Sequence, residues 1–144
     1  MSEPKTLAEL EEIQAKRQEE KAKVEDAQRA IDLAARMELE DKFGAIASVG
    51  VARFVQGHPT KAHVRTPEPV EYKKYLSQVH VGVDKKNLKL QREAQETLAR
   101  VCWVYPATSE EREAMLEKFP GLLTSVGVAA AGLAEGRSEE EGKG

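Results

Sequence analysis

Residues 6–42 read TLAELEEIQAKRQEEKAKVEDAQRAIDLAARMELEDK, and how this stretch folds decides the architecture. Thr6-Leu7-Ala8-Glu9 is a capping box: the Thr6 hydroxyl can accept from the Glu9 amide while the Glu9 carboxylate reaches back to Thr6. From Leu7 to Lys42 there is neither Gly nor Pro, and strong helix formers (Ala, Glu, Lys, Gln, Arg, Leu) dominate. The stretch therefore predicts one long helix. Leu10, Ile13, Val24, Ala27, Ile31 and Ala34 fall at heptad a and d positions, but Arg17 and Glu20 interrupt the seam. A seam this thin does not hold a stable coiled coil. Residues 11–23 cannot bury a face by themselves, so the helix is expected to project as an arm, with residues 24–43 packing more closely.

Outward from the arm the pattern changes. Gly occurs at 44, 50 and 57 and β-branched residues at 49, 51, 55 and 64, with Gly57-His58-Pro59-Thr60 as a turn. A β-hairpin follows, with Val49, Val51, Arg53 and Val55 on one face and a return strand over 61–66. Pro67-Glu68-Pro69 opens a helix whose buried stripe is Tyr72, Tyr75, Leu76 and Val79. After Val81-Gly82-Val83, Asp84 is placed to cap a helix reaching Trp103, with Leu88, Ala94, Leu98, Val101 and Cys102 inward. Pro106 ends it, and Thr108-Ser109-Glu110-Glu111 caps a short helix to Phe119. Pro120 restarts the chain as a last helix of small and apolar residues. The expected fold is mainly α with a small β-hairpin (α+β), a long N-terminal helix followed by a compact helical domain. Its parts are a charged arm over 1–42, a domain over 43–136 with the hairpin near 46–66, and a disordered acidic tail over 137–144.

Composition narrows the chemistry. At 144 residues, 40% hydrophobic and 33% charged, with one cysteine, the chain reads as a soluble cytoplasmic protein with no internal disulfide. No apolar run approaches the length of a membrane span. Basic and acidic residues number 8 and 12 over 1–42, 10 and 5 over 43–107, and 4 and 8 over 108–144. This basic middle lacks the aromatic interleaving of a nucleic-acid surface, so no nucleic-acid partner is expected. It fits acidic arms that fold back or self-associate with other copies, and Lys73, Lys74, Lys85, Lys86, Lys89 and Arg92 read as solvated helix faces able to meet an acidic partner. His58, His63 and His80 match no zinc spacing and read as surface or turn residues. Cys102 reads as a small buried hydrophobe. No phosphate loop, nucleophile elbow or dinucleotide fingerprint is present, so no catalytic residue, cofactor or metal is assigned and the protein is read as a non-enzyme.

From Arg65 on, the order of signals carries a resemblance. Thr66-Pro67 precedes a helix opening on Glu71-Tyr72-Lys73-Lys74-Tyr75; a later helix runs into Val101-Cys102-Trp103-Val104-Tyr105-Pro106; an acidic helix ends in Phe119-Pro120-Gly121; and a Leu/Val/Ala helix ends in Leu133-Ala134. Over about residues 43–136 this pattern resembles the tail assembly chaperones of tailed bacteriophages. The long charged arm lies outside that pattern. The resemblance implies binding of the hydrophobic, helical tape measure protein in the host cytoplasm, shielding it until tube subunits replace the chaperone. A holdase needs exposed apolar surface on a soluble body. Leu122, Leu123, Val126 and Leu133 on the last helix, and Leu10, Ile13 and Val24 on the arm, are the partner-binding candidates. The alternative is a structural subunit or scaffold of a virion or other assembly.

An arm that projects should be the first part of the chain to yield to protease. Limited proteolysis is expected to cut between Glu11 and Lys23 before any other site. Protection there equal to that around Leu98 would mean that the arm is packed.

Overall fold

The 37-residue helix forms as the sequence dictates. In the computed structural model, which describes residues 3–137, α1 (Leu7–Phe43) starts at Thr6, whose hydroxyl accepts from the Glu9 amide at 3.2 Å. It ends at Gly44, whose φ of 82° is a conformation that suits glycine. At 1.5 Å per residue, α1 is roughly 55 Å long. Among residues 7–31 only Ile13, Glu25 and Gln28 are even half-buried, and Asp32 is the single buried residue of the helix. The arm is held to the body only towards its C-terminal end.

Three strands follow in an antiparallel sheet of order β1-β2-β3, comprising β1 (Ile46–Gly50), β2 (Lys61–Arg65) and β3 (Trp103–Tyr105). Ile46 pairs with Arg65 and Gly50 with Lys61, while an irregularity at His63/Val64 shifts the pairing with β3. The first strand is shorter than expected. It stops at Gly50, so Val51, Arg53 and Val55 do not share a strand face; they lie in a loop that places Phe54 beside Val24 of α1. The sequence reading ran a helix to about Trp103, and the helix there ends at Cys102, within one residue of that point; the strand that follows it was not expected. Trp103-Val104-Tyr105 pairs with central β2, and the Tyr105–Pro106 peptide is cis.

Four helices complete the body: α2 (Pro69–Asp84), α3 (Leu88–Cys102), α4 (Ser109–Lys118) and α5 (Leu122–Ala134). The helix starts at Pro69 and at the Thr108 capping residue match expectation. Val81-Gly82-Val83 does not break α2; the helix runs on to Asp84, and Asn87, not Asp84, caps α3 by accepting from the Leu90 amide at 3.2 Å. Gly82 is buried because α2 and α3 approach closely there: a Cβ would stand 2.7 Å from Gln91 Cγ. Ala94, Leu98 and Cys102 face inward as expected, whereas Leu88 and Val101 are exposed, because α3 packs along a narrower stripe and Leu88 sits at its first, free turn; Leu76 of α2 is exposed as well.

Period-two alternation gives the sheet two unlike faces. Ala62 and Val64 of β2 enter an apolar core with Leu98, Cys102, Met115, Leu122, Leu123, Val126 and Ala130. His63, between them, turns to the opposite face, where α1 lies. The α5 candidates are thereby corrected: Leu122, Leu123 and Val126 are consumed by the domain's own core and offer no open surface, while Leu133 is half-buried at the helix end. The reason is the small-residue surface of α5, which lets it sit directly on α3. Most of the expected acidic tail, residues 138–144, lies outside the described residues.

The tightest point of that packing is Gly127, where a Cβ would meet Gln95 Cγ at 2.7 Å and the Gln95 carbonyl oxygen at 2.8 Å. Gly127→Ala is therefore expected to cost about 1–3 kcal/mol, the range for overpacking a core. Gly50→Ala, where nothing lies within 4 Å, is expected to be neutral. Urea denaturation of both variants checks the contrast.

Candidate functional site

Asp32 comes from the arm, Ser48 from β1, Thr60 and His63 from the return of the hairpin, and Tyr105 from β3; the fold gathers them between α1 and the sheet. Asp32 is 1% exposed, and a carboxylate this deep requires donors. It has four. Oδ2 accepts from the Thr60 amide at 2.7 Å and the Thr60 hydroxyl at 2.5 Å; Oδ1 accepts from the Tyr105 hydroxyl at 2.6 Å and the Gln28 side-chain amide at 2.9 Å.

His63 extends the network. Its Nε2 lies 2.7 Å from the Asp32 main-chain carbonyl, so Nε2 carries the proton and donates. Nδ1, 2.8 Å from Ser48 Oγ, then accepts the serine proton. Ser48 Oγ in turn accepts from Arg36 Nη1 at 2.9 Å, and Arg36 Nη2 donates to the Ile46 carbonyl at 3.1 Å. Tyr105 stacks on the imidazole with ring centroids 4.8 Å apart. Burial holds the His63 pKa below its ordinary value, outweighing the opposing pull of the Asp32 main chain and charge, with Arg36 and Lys61 pressing the same way. Burial also raises the Tyr105 phenol, helped by Asp32. His63 is thus a fully buried core residue, which corrects its reading as a surface or turn histidine.

The Ser48–His63 pair has the spacing of a nucleophile and its base. The far nitrogen of His63 faces a neutral main-chain carbonyl, however, and two cations stand near a ring that would have to become positive. What the cluster supplies is a polar joint between arm and sheet. Cys102 lies fully buried on the other side of the sheet, its thiol pushed up to about 11 by burial. Among the described residues no group of three or more His, Cys, Asp or Glu is placed to hold a metal, and no helix is long and apolar enough to cross a membrane.

Beside the joint, α1 and the hairpin enclose a cleft of about 480 Å³. Arg29 and Arg36 line it from the arm, Arg53 and Lys61 from the hairpin, with Leu33, Val51 and Phe54 as apolar wall. Further out on α1 are the arm candidates: Leu10 is 50% exposed, Val24 41% exposed and Ile13 half-buried. The structure therefore divides the sequence-derived set into an open group on α1 and a closed group on α5. Sequence reading missed Asp32, Ser48, Thr60 and Tyr105 altogether. The one local sign was His63, a titratable ring between Ala62 and Val64 in a strand whose neighbours are made for burial.

The sign of the His63 shift sets a pH dependence. With its folded pKa below its unfolded value near 6.5, the unfolded chain binds a proton that the folded chain refuses. This contribution to stability is fully present above about pH 6.5 and is lost as pH falls through the lower folded value. His63→Gln should be less stable than the parent at pH 8, and the gap should narrow below pH 6.5. A constant gap from pH 8 to pH 5 in urea melts would show that His63 does not titrate differently on folding.

Comparison with known proteins finds no matching family model, no match among curated proteins and no match among solved structures.

Proposed function

We propose that the protein is a non-catalytic assembly chaperone of the bacteriophage tail type, which binds the helical tape measure protein and shields it in the host cytoplasm. The observation that carries this reading is the free length of α1. Leu7 (73% exposed), Leu10 (50%), Val24 (41%) and Ile31 (58%) are exposed on a helix whose single buried residue is Asp32. The order of signals from Arg65 to Ala134 supports the same family on sequence pattern alone.

The physical logic is helix-on-helix docking. Leu10, Ile13, Val24 and Ile31 lie at heptad spacing over about 30 Å, a line that an apolar client helix can follow. Arg17 and Glu20 interrupt the line, which weakens pairing of two arms while leaving apolar anchors at either end. The acidic character of the arm keeps the loaded complex soluble. With Leu122, Leu123 and Val126 committed to the core, the client surface moves from α5 to α1.

Burying one Leu or Ile is worth roughly 1.5–3 kcal/mol, and 1.4 kcal/mol is about tenfold in affinity. Leu10→Ser with Ile13→Ser is expected to keep the melting temperature within a few degrees while weakening co-purification with a long apolar helical client by more than about tenfold. Val126→Ser is expected to unfold the domain instead. Client binding that survives the double change removes α1 as the docking element. Mass spectrometry of mature particles checks the chaperone role itself: a chaperone is absent from them, whereas a structural subunit is retained.

A further inference from the structure

The seam of α1 carries opposite charges at its centre. It runs Leu10, Ile13, Arg17, Glu20, Val24 and Ala27, so Arg17 and Glu20 have an apolar pair on either side. Leu10 is 50% exposed and Val24 41%, and Arg17, Glu20 and Ala27 are exposed as well. Among the described residues neither Arg17 nor Glu20 is within ion-pair distance of an opposite charge, whereas Lys16 pairs with Glu12 at 3.7 Å and Lys23 with Glu19 at 4.0 Å. Arg17, Glu20 and Val24 also border an open hollow of about 380 Å³ with Phe54 and Gln56 of the hairpin loop.

We infer that this seam is the contact with a second copy of the chain, two α1 helices packing antiparallel about an axis between Gln18 and Glu19. In an antiparallel pair each a position meets a d position of the other helix. About that axis Arg17 meets the partner's Glu20 and Glu20 the partner's Arg17, while Ile13 meets the partner's Val24 and Leu10 the partner's Ala27. Every layer is then complementary: opposite charges at the centre, Ile against Val next, and large against small at the ends. A parallel pair sets Arg17 on Arg17 and Glu20 on Glu20, so the charges that thin the seam also select its direction. They select the register too. Sliding the antiparallel pair by one heptad sets Arg17 against the partner's Ile13 or Ala27, and Glu20 against the partner's Leu10 or Val24.

The contact runs roughly 25 Å from Leu10 to Ala27, short enough for a reversible dimer. Lys16 and Lys23 flank it on one edge, and their own partners Glu12 and Glu19 offset that repulsion. An apolar helix of another protein brings no charge for Arg17 or Glu20; a second copy brings both. The pairing concerns the arm alone and stands whether or not a client helix binds there.

Sedimentation of the full chain between about 1 μM and 1 mM is expected to show a monomer–dimer equilibrium that weakens as salt rises. Arg17→Glu, or Glu20→Arg, sets like charges in both central layers and should weaken the dimer by at least about tenfold with circular dichroism unchanged. The two changes in one chain recreate the opposite pairs and should restore it. Direction is read by cysteine coupling, since native Cys102 is buried. A mixture of Ile13→Cys and Val24→Cys chains should form the mixed disulfide, and neither variant alone should couple to itself. A chain still monomeric at about 1 mM, a dimer indifferent to Arg17→Glu, a double exchange that fails to restore pairing, or self-coupling of Ile13→Cys would overturn the proposal.

Discussion

The buried carboxylate of Asp32 is the constraint from which the rest of the architecture follows. A charge removed from water needs compensating donors, and the three that come from outside the arm, two on Thr60 and one on Tyr105, belong to the hairpin and to β3. Satisfying one side chain thus fixes the angle of α1, the return of the hairpin and the position of the third strand together. His63 adds a second tie, donating to the main-chain carbonyl of the same aspartate while accepting from Ser48. Among the described residues no buried side-chain polar atom lacks a partner, so the joint is complete as it stands.

This joint explains why so small a sheet is enough. Three short strands would be marginal alone, but the sheet is used on both faces for different purposes. Ala62 and Val64 supply apolar contacts to α3 and α5, and the alternate residue His63 supplies hydrogen bonds to α1. The apolar face carries the domain's stability through burial. The polar face carries direction, holding the arm at one end and leaving about three turns N-terminal to Arg17 without support.

Local signals that act within one turn were legible. Thr6 and Thr108 cap their helices because a hydroxyl three residues before an amide needs nothing from elsewhere. Signals that depend on a neighbour were misread. Gly82 looks like a break in sequence, yet it is helical, and it is glycine because the close approach of α3 leaves no room for a Cβ. Trp103-Val104-Tyr105 carries no strand signal of its own after a helix read to Trp103, but β2 offers it unpaired backbone and the Trp103 indole donates to the Tyr105 carbonyl at 2.6 Å. Leu122, Leu123 and Val126 read equally well as a client surface or a core stripe; the burial of α5 against α3 and the sheet makes them core.

By itself, the sequence determined the long arm, the mainly helical class with a hairpin, and the apolar residues left sparse along α1. Each of these rests on composition or on spacing within a single element, which backbone propensity and side-chain periodicity govern directly. Tertiary structure alone decided that Asp32, Ser48, Thr60, His63 and Tyr105 form one network, since they are drawn from positions up to 73 residues apart. It also decided which apolar stripe is closed and which is open. Those outcomes depend on which faces meet in space, and a linear pattern specifies that a face is apolar or charged without specifying what will cover it.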